Sequence, residues 1–203
     1  MVVDDASPDE TGVLADELAQ RWPYLRVLHR AGERGLGTAY LAGFAFALRE
    51  GYDFVFEMDA DFSHNPDDLP RLLQRAQQGA DLVIGSRYVA GGETRNWSVG
   101  RRWLSRAATV YARTVLRVSL RDLTAGLKCF RRQALEQLDL DKVRTQGYGF
   151  QIELTYQALQ CGLRVEEIPI VFVDRRVGKS KMRFWIAFEA VWKVWRMRFG
   201  SGR

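Results

Sequence analysis

Two aspartates one residue apart, Asp59 and Asp61, stand where a mostly apolar run over residues 54–58 gives way to Phe62-Ser63-His64-Asn65-Pro66. Two carboxylates so spaced at a strand-to-loop turn can share one divalent ion, and hard oxygen ligands suit Mg²⁺ or Mn²⁺, ions that also take phosphate oxygens. The blander reading is a pair of solvated turn acids; the apolar approach and the loop that follows favour the metal. His64 reads as a loop residue or a support for the acids rather than a ligand. A second acidic strand end, Asp4-Asp5-Ala6-Ser7-Pro8-Asp9, offers carboxylates that can accept hydrogen bonds from a nucleobase or a ribose hydroxyl. Ser7 also reads as a helix cap with Pro8 at the first helical position and Glu10 at the third.

Anion-binding groups gather later in the chain. Arg87 ends the run Gly85-Ser86; Arg101, Arg102 and Arg106 recur at helical spacing; Lys128 and Arg131 follow Thr124-Ala125-Gly126; Arg175, Lys179 and Lys181 flank Gly178. Any one of these is ordinarily a solvated surface charge, but three clusters beside a carboxylate pair are more than that. The charge is divided accordingly: residues 1–86 carry 7 basic and 15 acidic side chains, residues 87–132 carry 11 and 2, and the whole chain is net +5. Such a division fits a site that needs a cation at one place and anions at another. Gly35-Leu36-Gly37 lets backbone approach a ligand, but Tyr40 stands where the third glycine of a dinucleotide fingerprint belongs, and there is no Gly-Lys-Ser/Thr phosphate loop. A dehydrogenase and an ATPase are thereby discounted. A nucleic-acid binder is discounted too, because acidic strand ends would repel a phosphate backbone.

The elements that must position these groups alternate. Strands are expected over 2–4, 25–28, 53–58, 81–85 and 164–173, the last broken by Pro169 and therefore at an edge. Helices are expected over 7–21, 35–49, 66–78, 104–118, 150–160 and 184–199, with a turn into a short strand over 122–130. Strands separated by helices argue an α/β fold, a mostly parallel sheet with helices on both faces, whose functional groups collect beyond the carboxyl ends of the strands. With 203 residues, 47% of them apolar, one domain with a real core is expected. No apolar run is long enough for a membrane span, and acids at Asp4 and Asp5 occupy the place of a signal peptide's basic region. Cys129 and Cys161 lack metal-site spacing and read as small core residues in a reducing compartment.

Taken together, VVDDASPDETG (2–12), GLGTAYLAGF (35–44), MDADFSHNP (58–66), GSRY (85–88), RRWLSR (101–106), DLTAGLKCFRR (122–132), GYGFQIEL (147–154) and FVDRRVGKSKM (172–182) give the chain a resemblance to the inverting GT-A-type glycosyltransferases of family 2, and within them to the dolichol- or polyprenol-phosphate mannosyltransferases. The resemblance implies a cytosol-facing enzyme that moves mannose from GDP-mannose to a polyprenyl or dolichyl phosphate. It implies that Asp59 and Asp61 bind Mg²⁺ or Mn²⁺; that Asp4, Asp5 and Gly37 lie near the nucleotide; and that Arg87, Arg101, Lys128, Arg175 and Lys181 hold donor and acceptor phosphates. Gln151 and Glu153 fall on the helix expected to face the sugar, and Asp61, Arg87, Gln151 and Glu153 are the candidate catalytic residues. Another donor such as UDP-glucose, or a non-catalytic lipid-phosphate-binding module, are the alternatives. Relatives normally open with a strand ending in a Pro-Thr-Tyr-Asn-Glu-like segment and a helix, so a GT-A fold short of its first strand and helix is expected over residues 1–181. Residues 182–203 then form an amphipathic helix and tail, whose Phe184, Trp185, Phe188, Trp192, Trp195 and Phe199 suit a membrane interface or a membrane partner subunit.

Overall fold

The computed structural model describes residues 1–31, 35–143, 145, 147–174 and 192–199. It divides into two compact units, Met1–Tyr52 and Asp53–Arg203. The expected boundary at 181/182 lies outside the described residues.

In the first unit, β1 (Val2–Asp4) pairs in parallel with β2 (Val27–His29), Val3 opposite Leu28 and Asp4 opposite His29. Helices α1 (Thr11–Arg21) and α2 (Leu36–Glu50) follow the two strands. The parallel pairing puts Asp4 and the start of α1 at one end, where Gly12 is required: a Cβ there would come within 2.8 Å of Asp4 Oδ2. The helix start differs from the capping box at Ser7. The Ser7 amide donates to Asp4 Oδ1 instead (3.2 Å), and Asp9 Oδ1 accepts from the Thr11 amide and hydroxyl. The nearby Asp4 carboxylate outcompetes the helix for the Ser7 amide, so residues 7–10 form a turn and Glu10 sits in the left-handed region (φ 61°).

The second unit holds a four-stranded sheet in the order β3 (Phe54–Glu57), β6 (Lys128–Arg131), β4 (Leu82–Ser86), β7 (Val165–Pro169). β4 and β7 are parallel, whereas β6 runs antiparallel between β3 and β4. Among the described residues parallel pairings still predominate, three of the five strand pairs, and β6 is the local reversal that alternation of helix and strand did not signal. The 3₁₀ turn Pro66–Asp68 leads into α3 (Leu69–Gln77), capped by Asn65, whose side chain accepts from the Asp67 amide. Alternation along the strands sends Val83 and Cys129 to the face covered by α3, where Leu72, Ala76, Ala80, Leu127, Ile168 and Ile170 complete a dry cluster. Lys128 faces the opposite way, toward α6 (Tyr148–Gln160). Cys129 is buried as expected, and burial pushes its thiol up to about 12. Cys161 corrects the expectation: it follows the last turn of α6 and is exposed.

Pro169 breaks the run 164–173 at the sheet edge. β7 ends there, opposite Ser86, and one residue later β8 (Val171–Val173) pairs in parallel with β5 (Glu93–Arg95). The Ile170 amide donates to Ser86 O and its carbonyl accepts from the Glu93 amide, so the single linking residue is satisfied on both sides. α4 (Val99–Leu116) is capped by Ser98, and α5 (Arg132–Gln137) follows β6. Residues 192–199 are helical, inside the expected final helix.

Candidate active site

β3 delivers Asp59 and Asp61 two and four residues beyond its last residue, Glu57. Asp61 Oδ1 accepts from the Ser63 amide (3.1 Å) and hydroxyl (2.5 Å), and Ser63 O accepts from the Val173 amide, which ties the acid loop to β8. Between them Phe62 is held in the left-handed region (φ 63°) with its ring in solvent. That conformation costs an aromatic residue about 1–2 kcal/mol and persists only because both flanks are pinned. Asp59 is backed by Gly126, where a Cβ would stand 3.0 Å from Asp59 Oδ2, and His64 Nε2 lies 4.0 Å from the same oxygen. His64 is buried, edge-on to Phe172, with no hydrogen-bond partner for either ring nitrogen among the described residues. Burial holds its pKa below the ordinary value, against the opposing pull of Asp59, so the imidazole is neutral.

The loop behind Asp59 is fixed by charge. Arg87 grips Asp122 with a two-pronged fork (Nε to Oδ2 and Nη2 to Oδ1, both 2.7 Å), its amide donates to Oδ2, and Nη2 also donates to Thr124 Oγ1. Tyr88, Trp97 and Phe172 surround the guanidinium at 5.2–5.6 Å. The amides of Arg121 and Asp122 donate to the Glu167 carboxylate on β7. Continuous contacts thus run from β7 through Asp122 and Thr124 to Gly126 and Asp59. Arg101, expected to bind phosphate, lies 4.4 Å over Trp97 and pairs with Asp174 at 2.7 Å.

Beneath the acid loop, Glu57 and Lys128 form a fully buried ion pair (3.0 Å), and Lys128 Nζ also donates to the Gln151 side chain on α6. Burial raises the Glu57 pKa and lowers that of Lys128, each opposed by the other's charge. Lys128 is therefore an internal counter-ion here rather than a group presented to a phosphate. Glu153, two residues on, accepts from the Thr145 amide and hydroxyl. In the first unit, Asp5 binds Arg30 (2.6 Å) and the Gly35 amide (3.0 Å). Asp4 is buried, and hydrogen bonds from Ser7 hold its carboxyl below the usual range. Gly37 is buried in the first turn of α2. Arg175 and Lys181 lie outside the described residues.

Sequence reading passed over Glu57, Asp122, Glu167, Trp97 and Phe172. Asp122 left a signal, being one of two acids in the otherwise basic stretch 87–132; Glu57, an acid inside an apolar strand, left another. Among the described residues no group of three or more His, Cys, Asp or Glu side chains could hold a metal. Two hard carboxylates at a strand end nevertheless suit Mg²⁺ or Mn²⁺ bound partly through a substrate's own phosphates.

The α/β fold carries an acid pair at a strand end with the Asp122–Gly126 loop stapled behind it, and the chain belongs to glycosyl transferase family 2, whose model matches residues 1–139. The chain is a glycosyltransferase. It is 51% identical over 201 residues to the polyprenol monophosphomannose synthase of Mycolicibacterium smegmatis, covering 98% of this chain and 76% of that protein. It is 50% identical over 196 residues to the undecaprenyl-phosphate mannosyltransferase of Micrococcus luteus, covering 97% and 80%. The fold is shared with glucosyl-3-phosphoglycerate synthase from Mycobacterium tuberculosis in complex with phosphoglyceric acid (TM-score 0.67, 20% identity, 98% of this chain and 68% of that one). The same synthase with Mn²⁺, UDP-glucose and phosphoglyceric acid superposes with a TM-score of 0.69 at 19% identity, covering 97% and 67%.

Proposed function

We propose that the chain transfers mannose from GDP-mannose to a polyprenyl or dolichyl phosphate, with inversion, releasing GDP. The observation that carries this reading is the 51% identity, across nearly the whole chain, to a polyprenol monophosphomannose synthase. An acceptor phosphate oxygen attacks the anomeric carbon and forms the new C–O bond. The bond to the donor diphosphate breaks and its electron pair leaves on GDP. No general base is required, because a phosphate monoester is already anionic near neutral pH. Attack opposite the leaving group turns an α-linked donor into a β-linked product.

The chain's task is then to bring two anions together, which at ~4 Å costs roughly 4 kcal/mol per charge pair at an effective dielectric of 20. Asp59 and Asp61 would hold Mg²⁺ or Mn²⁺, which supplies Lewis-acid stabilisation of the departing diphosphate. Arg101, Arg175 and Lys181 neutralise phosphates, with Arg101 preset by Trp97 and Asp174. Arg87, Lys128, Gln151 and Glu153 act through their neighbours: the first through Asp122, the next two through Glu57, the last through Thr145. Asp4, Asp5 and Gly37 serve the nucleotide. No helix among the described residues is long and apolar enough to cross a membrane, and a lipid-borne acceptor calls for an enzyme held peripherally on the cytoplasmic face.

Purified protein, given polyprenyl phosphate and a panel of labelled nucleotide sugars, is expected to transfer mannose from GDP-mannose only with a divalent ion present. Asp61→Asn is expected to lower kcat roughly 100-fold or more with an unchanged far-UV circular dichroism spectrum. Preferential use of UDP-glucose, or metal-independent transfer, overturns the reading.

A further inference from the structure

His64 is a polar group sealed where an apolar one would be more stable. Its side chain is 1% exposed and packs edge-on against Phe172, and neither ring nitrogen has a hydrogen-bond partner among the described residues. A buried imidazole N–H without an acceptor is destabilising, so native interiors keep few of them, and each needs a reason. An acceptor stands just out of reach. Asp59 Oδ2 is 4.0 Å from His64 Nε2, about 1 Å beyond an ordinary hydrogen bond. Gly126 leaves room for the two to close, since a Cβ there would stand 3.0 Å from Asp59 Oδ2 and 3.5 Å from His64 Nε2. The other acid of the pair, Asp61, takes support of this kind from the Ser63 amide and hydroxyl.

We infer that His64 is a positioning residue for the metal ligand Asp59: its Nε2–H donates to Asp59 Oδ2 when the divalent ion is bound, which turns Oδ1 toward the ion. The inference deepens the proposed function and rests on its reading of Asp59 and Asp61 as the metal-binding pair. A carboxylate held by one oxygen offers the other in a set direction and loses less freedom on taking the ion. The hydrogen bond left unmade in the metal-free protein lowers its stability, and making it adds to the affinity for the ion. Burial keeps His64 itself from ligation, whereas the Asp59 side chain is 36% exposed and can face the imidazole with one oxygen and the ion with the other.

Free Mn²⁺ counted by electron paramagnetic resonance, with GDP in one series and UDP in another, tests it without any sugar transfer. His64→Leu is expected to bind Mn²⁺ roughly tenfold more weakly than wild type. His64→Gln, whose side-chain amide can donate in place of Nε2–H, is expected to restore most of that affinity. Without metal, His64→Leu is expected to melt no lower than wild type, because an apolar side chain replaces a polar group that had nothing to bond. The chain has two histidines, His29 and His64, so ¹⁵N-histidine NMR reads the site in wild type and requires no variant of His64 to fold. Mg²⁺ with the nucleotide that supports Mn²⁺ binding is expected to move the Nε2-bound proton of His64 downfield and slow its exchange. An Nε2 proton indifferent to that addition, or a His64→Leu protein that binds Mn²⁺ like wild type, overturns the inference and leaves the metal reading standing. Wild type that takes up Mn²⁺ in neither series, or uptake that Asp59→Asn retains, overturns both. A His64→Leu protein that melts well below wild type, or a His64→Gln protein that binds no better than His64→Leu, assigns His64 to packing alone.

Discussion

Glu57 and Lys128 are the residues on which the interior of the second unit is most exposed to error. A buried pair is weak evidence for stability as a pair, but removing one member strands the other charge. Lys128→Met is therefore expected to lower stability by about 3–5 kcal/mol, and Glu57→Gln/Lys128→Met to recover part of that loss; chemical denaturation of the three proteins checks it. In the first unit, His29 lies 2.9 Å from Asp16 and 3.5 Å from Asp4. The hydrogen bond that His29 donates to Asp16 raises the His29 pKa, with Asp4 adding to it. A raised pKa means that the folded form binds the proton more tightly than the unfolded form. The contribution is thus fully present below the unfolded value of about 6.5 and lost as pH rises through the folded value. Thermal melts of wild type are expected to lose stability across that window more steeply than those of His29→Gln, and NMR titration to show Asp16→Asn lowering the His29 pKa.

At the scale of elements, the site depends on how closely the loop before β6 approaches the end of β3. Gly126→Ala places a methyl 3.0 Å from Asp59 Oδ2 and 3.5 Å from His64 Nε2. The carboxylate must shift by a few tenths of an ångström, so the variant is expected to lose activity roughly tenfold or more while its melting temperature moves little. Activity and melting assays of the same preparation decide it; an equal fall in both would make Gly126 merely a packing residue. The elements themselves were legible in uneven measure. Apolar runs bounded by Gly, Pro and Asp located β3, β4 and α2 within a residue or so, because local burial and turn chemistry set them. The direction of β6 was not legible, since pairing depends on which strands it inserts between. The start of α1 was misplaced because a single carboxylate, Asp4, took the amide that the capping pattern had assigned to the helix.

For the molecule as a whole, the charge division along the chain suggests an acid pair and basic segments with separate tasks. What primary structure determined by itself was the chemistry available: hard carboxylates at Asp59 and Asp61, guanidinium groups from Arg87 onward, apolar stripes of the right periods. These depend on residue type and spacing, which survive in any fold that buries the stripes. Only tertiary structure decided which charges are spent internally. Lys128 and Arg87 have the same formal charge as Arg101, yet Lys128 is sealed against Glu57 and Arg87 is locked to Asp122, while Arg101 lies partly in solvent over Trp97. Burial and the partner across the sheet, neither of them local, set the difference, because the cost of desolvating a charge depends on everything packed around it.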